Sequence, residues 1–284
     1  MAMPLRALLA SIVLFLVIIV LQLPHVDADT NPSWKRTTHH VGGGSTVPLF
    51  QSRPRFKPGP WKPAHATFYE GGSSTYGGAC GYEDVVKEGY GFDTAALSQV
   101  LYNDGLTCGA CFEIQCVNSP WCKHIKPSIF VTATDYCPPN FNLASNNGGW
   151  CNPPREHFDL AKPAYLDIAE YQGGIVPINY RRVACKKQGG IRFTITGNPY
   201  FYLVSVWNVG GAGDVVGVKV KGSEKVKWTV LNRNWGQKWE TNAMLQGESL
   251  TFRVRTSDGR HSTSWHVTPE NWQFGMTYEG KNFK

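Results

Sequence analysis

The sequence predicts a mainly β protein built from two domains, and three observations support this. Short segments after residue 190 alternate apolar and polar residues between turns, which is typical of half-buried strands. Helical periodicity is limited to two short stretches before residue 172. All eight cysteines lie between residues 80 and 185, so the chain changes character near residues 187 to 190. We therefore expect a disulfide-rich first domain and a cysteine-free second domain.

The composition indicates a folded protein rather than a disordered one. The chain has 284 residues, of which 42% are hydrophobic and 17% are charged, so it can bury the cores of two domains. Twelve Lys and Arg residues against seven Asp and Glu residues make the segment 190–284 basic. The sequence has no Lys or Arg run longer than two and no nucleic-acid-binding motif. We therefore expect no nucleic-acid partner.

The N-terminus has the pattern of a secretory signal peptide. Arg6 precedes an apolar run over 7–23, and Val26-Asp27-Ala28 resembles a cleavage site. We interpret 1–28 as the signal peptide and 29–60, which is rich in glycine and proline, as a leader or linker. An uncleaved membrane anchor is the alternative for the apolar run. Because no other stretch is long and apolar enough to cross a bilayer, we expect a secreted, extracellular protein.

The cysteines indicate disulfides, since their number is even and the protein is expected outside the cell. Their spacing alone leaves the pairing open. Cys108 and Cys111 form a C-x-x-C motif, but the sequence offers no second half of a zinc site. We expect neither a metal site nor a cofactor.

The first domain, over 61–187, is expected to combine strands with two short helices. Asp93 and Thr94 cap a predicted helix whose apolar residues share one face and which ends at Gly105. Further strands are predicted at 128–134 and 175–183, with a second helix at 164–171.

The second domain, over 190–284, carries the clearest strand pattern. Alternating segments lie at 191–196, 201–206, 215–221, 227–231 and 250–256. Glycine-rich turns separate them, and helical patterns are almost absent. This arrangement predicts an antiparallel β-sandwich.

Two aspartates are candidates for a glycan site, because cleavage of a glycosidic bond normally uses two carboxyl groups. Asp135 ends an apolar strand, and Asp159 lies among aromatic residues. The alternative is that Asp135 begins a turn and Asp159 is a cap, since Asp suits both positions. The residues alone leave this choice open.

Aromatic residues give a second signal. Trp235 and Trp239 are four residues apart among polar neighbours, so a continuous strand would carry both on one face. Exposed rings can stack on the apolar faces of sugars, but burial of both in the core is equally compatible with the pattern. We assign four further tryptophans of this domain to packing, namely Trp207, Trp228, Trp265 and Trp272.

Ordered motifs along residues 61–284 resemble those of the plant α-expansins. They include GGACGY at 77–82, CGACFEI at 108–114, VTATD at 131–135, HFDL at 157–160, NVGGAGD at 208–214 and RNWGQ at 233–237. The resemblance implies an all-β fold with a six-stranded double-psi β-barrel followed by an immunoglobulin-like β-sandwich that binds cellulose. It also implies disulfides that join Cys80 to Cys108, Cys111 to Cys185, Cys116 to Cys122 and Cys137 to Cys151.

The resemblance further implies a function and a groove. The family loosens plant cell walls at acid pH by disrupting contacts between cellulose and matrix glycans such as xyloglucan, without hydrolysis. Asp159 matches the aspartate of the family's HFD motif, and the other residues that match its groove are Thr67, Tyr69 and Asp135. We expect a monomer that acts in the cell wall.

We expect a polysaccharide to lie along this groove and to stack on Trp235 and Trp239. Tyr200 or Phe201 would extend the aromatic platform.

Two alternatives follow from a departure at residues 70–76, where the chain is shorter than typical α-expansins and lacks their aspartate. The first is an endoglucanase that uses Asp159 as acid and Glu70 as base. The second is a wall-binding module whose groove is inactive.

Overall fold

The first half of the structure is a closed barrel. The structure is a computed structural model, and it describes residues 56–72 and 77–283. The predicted signal peptide and most of the predicted leader lie outside these residues. The barrel strands are β1 (Lys62–Tyr69), β2 (Thr94–Leu97), β3 (Cys111–Cys116), β4 (Ile129–Tyr136), β5 (His157–Ala161) and β6 (Val176–Val183).

The six strands close in the order β1-β5-β2-β4-β3-β6, and two of the pairs, β1 with β5 and β2 with β4, are parallel. Alternate side chains point into the barrel, where the aromatic rings of Phe112, Phe158 and Tyr180 pack against one another. The opposite side chains of the same strands form the outer surface. This alternation leaves polar residues outside an interior that is filled mainly by aliphatic and aromatic side chains.

The helix predicted from Asp93 to Gly105 is largely wrong. Thr94–Leu97 forms β2, and only Gln99–Tyr102 is α-helical, followed by a 3₁₀ turn at Asn103–Gly105. β2 pairs with both β4 and β5, so sheet hydrogen bonds and complete burial override the local helical pattern. The second predicted helix is present at Lys162–Ile168, followed by a 3₁₀ turn at Tyr171–Gly173.

The second half is an antiparallel sheet that curls around its own core. Its strands are β7 (Arg192–Asn198), β8 (Phe201–Trp207), β9 (Val215–Lys221), β10 (Thr229–Trp235), β11 (Lys238–Thr241), β12 (Thr251–Thr256), β13 (His261–Ser264) and β14 (Thr277–Glu279). They are joined in the order β13-β12-β9-β10-β11-β8-β7-β14. Phe193 and Phe252, from distant strands, stack in the core with ring centroids 4.5 Å apart. The all-β class is confirmed.

Four disulfides staple the barrel, and they are the four pairs that the resemblance implies. One of them, between Cys111 and Cys185, joins the start of β3 to the chain just after β6 and closes a separation of 74 residues. The backbone N–H of Cys185 donates to the carbonyl of Gly211 at 2.7 Å, so this disulfide lies where the barrel meets the sheet.

The barrel and the sheet share a well-bonded contact within the unit Arg53–Lys284. The backbone N–H of Gln237 donates to the carbonyl of Cys80 at 2.8 Å, and its side-chain amide donates to the carbonyl of Cys108 at 2.7 Å. Arg182 of the barrel pairs with Asp214 of the sheet at 2.9 Å. Between residues 56–72 and 77–283, no helix has the length and hydropathy needed to span a membrane.

Candidate functional site

A polar row crosses four neighbouring strands on the outside of the barrel. The strand register places Thr67 of β1 beside Asp159 of β5, Asp159 beside Ala96 of β2, and Ala96 beside Asp135 of β4. The two aspartates therefore flank a small methyl group, and their Cα atoms are about 10 Å apart, or two strand spacings. We call these four residues the polar row.

A β-bulge helps to build the row. Ala95 pairs with Ala133, but its neighbour Ala96 pairs with Asp135, so Thr134 is an extra residue in β4. The extra residue brings Asp135 level with Ala96. The Asp135 carboxylate then accepts the backbone N–H of Ala79 at 2.7 Å and that of Tyr136 at 2.8 Å.

Asp159 is positioned by a buried hydrogen-bond chain. The Thr67 hydroxyl donates to Oδ1 of Asp159 at 2.7 Å, and Thr67 Oγ1 lies 2.8 Å from Nε2 of His157. Because the only proton of the hydroxyl goes to Asp159, His157 must donate from Nε2. Burial lowers the pKa of His157 to about 3, so its ring is neutral throughout the physiological range.

Burial also raises the pKa of Asp159, and the nearby charge of Asp135 acts in the same direction. The hydrogen bond from Thr67 opposes this shift without cancelling it. Asp159 therefore holds its proton at a higher pH than an exposed aspartate does.

Three buried hydroxyls cluster beside the row, namely those of Tyr69, Thr94 and Thr134, and side-chain hydrogen bonds from Thr94 and Thr134 act on Tyr69. Burial raises the pKa of Tyr69, so its hydroxyl keeps its proton at all relevant pH values. The row thus presents a carboxyl group and several neutral donors to the same region.

Trp235 extends the site onto the sheet. Its indole is 41% exposed. A Cβ atom at Gly81 would lie 3.5 Å from the ring, so the indole borders the loop that also carries Ala79. Since Ala79 is bonded to Asp135, the polar row and Trp235 are neighbours across the contact between barrel and sheet.

The expectation that Trp235 and Trp239 share one strand face is wrong. Gly236 and Gln237 form a turn between β10 and β11, with Trp235 paired to Lys238 and Trp239 paired to Arg233. Trp239 therefore points to the opposite face, where it is 3% exposed and belongs to the core. The Arg233 guanidinium lies 4.4 Å from its ring centre. Trp239 cannot offer a ring face to a polysaccharide.

Tyr200 and Phe201 lie at the other end of the same outer face as Trp235. Tyr200 is 77% exposed at the turn between β7 and β8, and Phe201 begins β8. Trp235 is paired with Lys238, and Lys238 is paired with Ser205 of β8, so these side chains point to the same face of the sheet. Phe201 lies four residues before Ser205 on the same strand and therefore also faces outward. Phe201 and Trp235 therefore share one outer face of the sheet, and Tyr200 lies in the turn next to Phe201.

The assignment of the other four tryptophans to packing is wrong for Trp265, which is 60% exposed. Trp272 is buried and donates to the carbonyl of Leu245, while Trp207 and Trp228 are half-buried. Trp265 follows the short strand β13, which carries too weak a pattern to be detected from the sequence.

Glu70 does not belong to the polar row. It follows the last residue of β1, its side chain is 79% exposed, and its carboxylate pairs with the Lys162 ammonium at 3.1 Å. This ion pair gives the carboxylate a partner at the end of β1, and it has no hydrogen bond to Thr67 or Asp159. The structure therefore gives no support to Glu70 as a catalytic base.

His157 is the site residue that the sequence analysis missed. It is completely buried, yet it fixes the direction of the Thr67 hydroxyl and hence the bond to Asp159. Its place two residues before Asp159 on the same strand was a usable signal, because residues two apart on a strand share a face.

The two tryptophans of the hairpin should respond differently to truncation. Trp235→Ala is expected to weaken binding to insoluble cellulose with a change of less than about 1 kcal/mol in the free energy of unfolding, because the ring is partly exposed. Trp239→Ala is expected to cost about 3 kcal/mol or more, since it leaves a core cavity. Pull-down isotherms and denaturant titrations measure the two effects. Loss of binding with unchanged stability in Trp239→Ala would contradict this assignment.

Comparison with known proteins identifies both halves. A family model described as "Expansin C-terminal domain" matches residues 191–269, and one described as "Lytic transglycolase" matches residues 94–180. Expansin-A32 of Oryza sativa subsp. japonica is 60% identical over 247 residues, covering 86% of this chain and 92% of that protein. Expansin-A7 of Arabidopsis thaliana is 50% identical over 233 residues, covering 81% and 88%.

The fold is shared with a solved bacterial protein. The apo crystal structure of an expansin from Clavibacter michiganensis has a TM-score of 0.58 and 19% identity, covering 78% of this chain and 97% of that one. A mutant of the bacterial protein, solved in complex with cellohexaose, gives a TM-score of 0.57 and 18% identity.

A six-stranded barrel with an outer polar row, bonded to a curled sheet that exposes aromatic rings, defines a two-part β protein that binds glycans. The chain belongs to the expansin family, and its curated relatives are of the A class. It is a non-hydrolytic wall-loosening protein.

Proposed function

We propose that one glycan chain lies across the polar row and onto Trp235, and that Asp159 in its protonated form competes for the hydrogen bonds that hold wall polysaccharides together. The observation that carries this proposal is the hydrogen bond from Thr67 to a half-buried Asp159 whose pKa is raised by burial and by the nearby Asp135. These groups offer donors and acceptors to sugar hydroxyls. No covalent bond is made or broken.

The proposed ligands are cellulose and a matrix glycan such as xyloglucan. The cellohexaose complex of the bacterial relative supports cellulose as one of the ligands. A monomer suffices, because the polar row and Trp235 come from one chain. The relatives support action in the cell wall, and the N-terminal pattern of residues 1–28 supports secretion. N-terminal sequencing of the secreted protein tests cleavage after Ala28.

Loosening is expected to increase as the pH falls. The pKa of Asp159 is raised above its ordinary value, so its protonated fraction grows as the pH decreases through that raised pKa. If the neutral carboxyl group is the active form, the creep rate follows the same curve. The same shift stabilises the folded protein below the ordinary pKa of an aspartate, and this contribution is lost as the pH rises through the raised value.

The test is the extension of heat-inactivated plant wall strips under constant load, measured across pH, with an assay for sugars released into the bath. Extension that rises toward acid pH without sugar release supports the proposal. Steady sugar release would contradict it. Binding without extension would favour a wall-binding module with an inactive groove.

A further inference from the structure

A second outer surface of the sheet carries four cations and lies outside the polar row. They are Lys219 and Lys221 on β9 and Arg253 and Arg255 on β12. The two strands are paired, with Arg253 beside Lys219 and Arg255 beside Gly217. All four therefore face the same way, in a stripe about 13 Å long. We call this surface the basic stripe.

The four cations of the basic stripe have no ion-pair partner among the described residues. The strands β9, β10, β12 and β13 contain no Asp or Glu. Elsewhere on the sheet, Arg192 pairs with Glu279 and Arg260 with Asp258. Four adjacent positive charges without a carboxylate partner create a positive field that attracts a polyanion.

Two indoles border one end of the stripe. Trp228 precedes β10 and Trp265 follows β13, so two strands separate them, yet their ring centroids are only 6.1 Å apart. The two rings therefore meet above β9 and β12, beside Lys221, which the register places at the same end. The exposed ring of Trp265 provides an apolar surface of the kind that stacks on a sugar ring.

One of the cations is held in a fixed direction. The Arg253 side chain donates from Nε to Oγ1 of Thr263 at 3.0 Å, and its guanidinium lies 4.5 Å from the ring centre of Trp228. Its remaining N–H groups are left to bind an anion. A planar guanidinium in a fixed position recognises a carboxylate in bidentate fashion at a small entropic cost.

We propose that the basic stripe, with Trp228 and Trp265 at its end, binds a polyuronate, a glycan whose sugar rings carry carboxylates. The repeated cations complement the repeated carboxylates, and the indoles accept a sugar face. A nucleic acid is the competing polyanion, but the sequence has no nucleic-acid-binding motif. This second glycan site is separate from the polar row and does not depend on the proposed role of Asp159.

The experiment compares two forms of one polymer with the full mature protein. Polygalacturonate carries a negative charge on each sugar. The methyl-esterified polymer keeps the same sugar rings but has no charged carboxylates. Dissociation constants are measured by calorimetry at low salt and repeated at rising salt. We expect binding to the charged polymer, at least about tenfold weaker binding to the ester, and weakening with salt.

A matched pair of variants assigns the binding to the stripe. K219Q/K221Q removes two cations of the stripe, while K57Q/K186Q removes two exposed cations elsewhere and changes the net charge equally. We expect about tenfold weaker binding in the first and wild-type binding in the second. Circular dichroism confirms that both variants fold, and wall extension by K219Q/K221Q is expected to match the wild type.

Three results would overturn the proposal. If both variants bind the charged polymer equally weakly, the net charge of the protein explains the binding and the stripe does not. If the esterified polymer binds as tightly as the charged one, the carboxylates are not recognised. Binding of duplex DNA at equal charge concentration as tightly as the polyuronate would make the stripe a general polyanion surface. A failure of the polar-row proposal is recognised separately, because it appears in wall extension and not in polyuronate binding.

Discussion

Asp159→Asn is expected to lower wall extension by about two- to tenfold while leaving the protein folded. Asparagine is nearly isosteric, and its carbonyl can still accept the hydrogen bond from Thr67. It lacks the titrating proton and cannot change from acceptor to donor as the pH falls. Loss of one hydrogen bond between neutral groups corresponds to about 0.5–1.5 kcal/mol, which is a factor of about two to ten.

The control for this variant is Asp167→Asn, which removes a partly exposed aspartate paired with Lys126. Exposed ion pairs contribute about 1 kcal/mol or less, so wall extension should be unchanged. The residual activity of Asp159→Asn should also lose its rise toward acid pH. Full extension with a normal pH profile in Asp159→Asn would show that Asp159 is not the titrating group.

Removal of the disulfide between Cys111 and Cys185 is expected to cost about 4 kcal/mol in the free energy of unfolding, because it frees a loop that spans 74 residues. For a protein of this size, that cost lowers the melting temperature by about 10 °C. The double Cys→Ser variant also loosens the chain at the contact between Cys185 and Gly211. Calorimetry of the purified variant measures the change.

The disulfide between Cys116 and Cys122 supplies the comparison. It closes a separation of only 6 residues, so its removal should cost about 2 kcal/mol by the same entropic reasoning. If the short disulfide proves the more stabilising of the two, loop entropy is not the main term and strain or residual structure in the unfolded chain must dominate.

The sequence predicts the strands of the sheet better than those of the barrel, for a physical reason. Strands with one buried face, such as β9 and β12, alternate visibly between apolar and polar residues. Strand β2 is buried on both sides and has only four residues, so its pattern resembles a helix. Its extended conformation comes from pairing with β4 and β5, which local sequence does not encode.

The sequence predicts which residues belong to the candidate site better than it predicts how they are arranged in space. Motif resemblance selects Thr67, Asp135 and Asp159, and the structure brings all three into one row. The Trp235 and Trp239 pair fails because a turn at Gly236 separates two strands where a single strand was assumed. Two residues four apart face the same way on one continuous strand, but here the turn places them on opposite faces of the sheet. The position of the turn therefore decides which faces the two tryptophans occupy.

The polar row also determines when during folding the protein can acquire activity. Thr67 and Asp159 are separated by 92 residues, and Ala96 and Asp135 come from two further strands. Contacts this far apart in sequence carry a large loop-closure entropy and form late. The segment 96–159 holds both aspartates and Ala96, but Thr67 joins them only when β1 pairs with β5. The newly made chain is therefore inert toward glycans at this site until its parallel strands have closed.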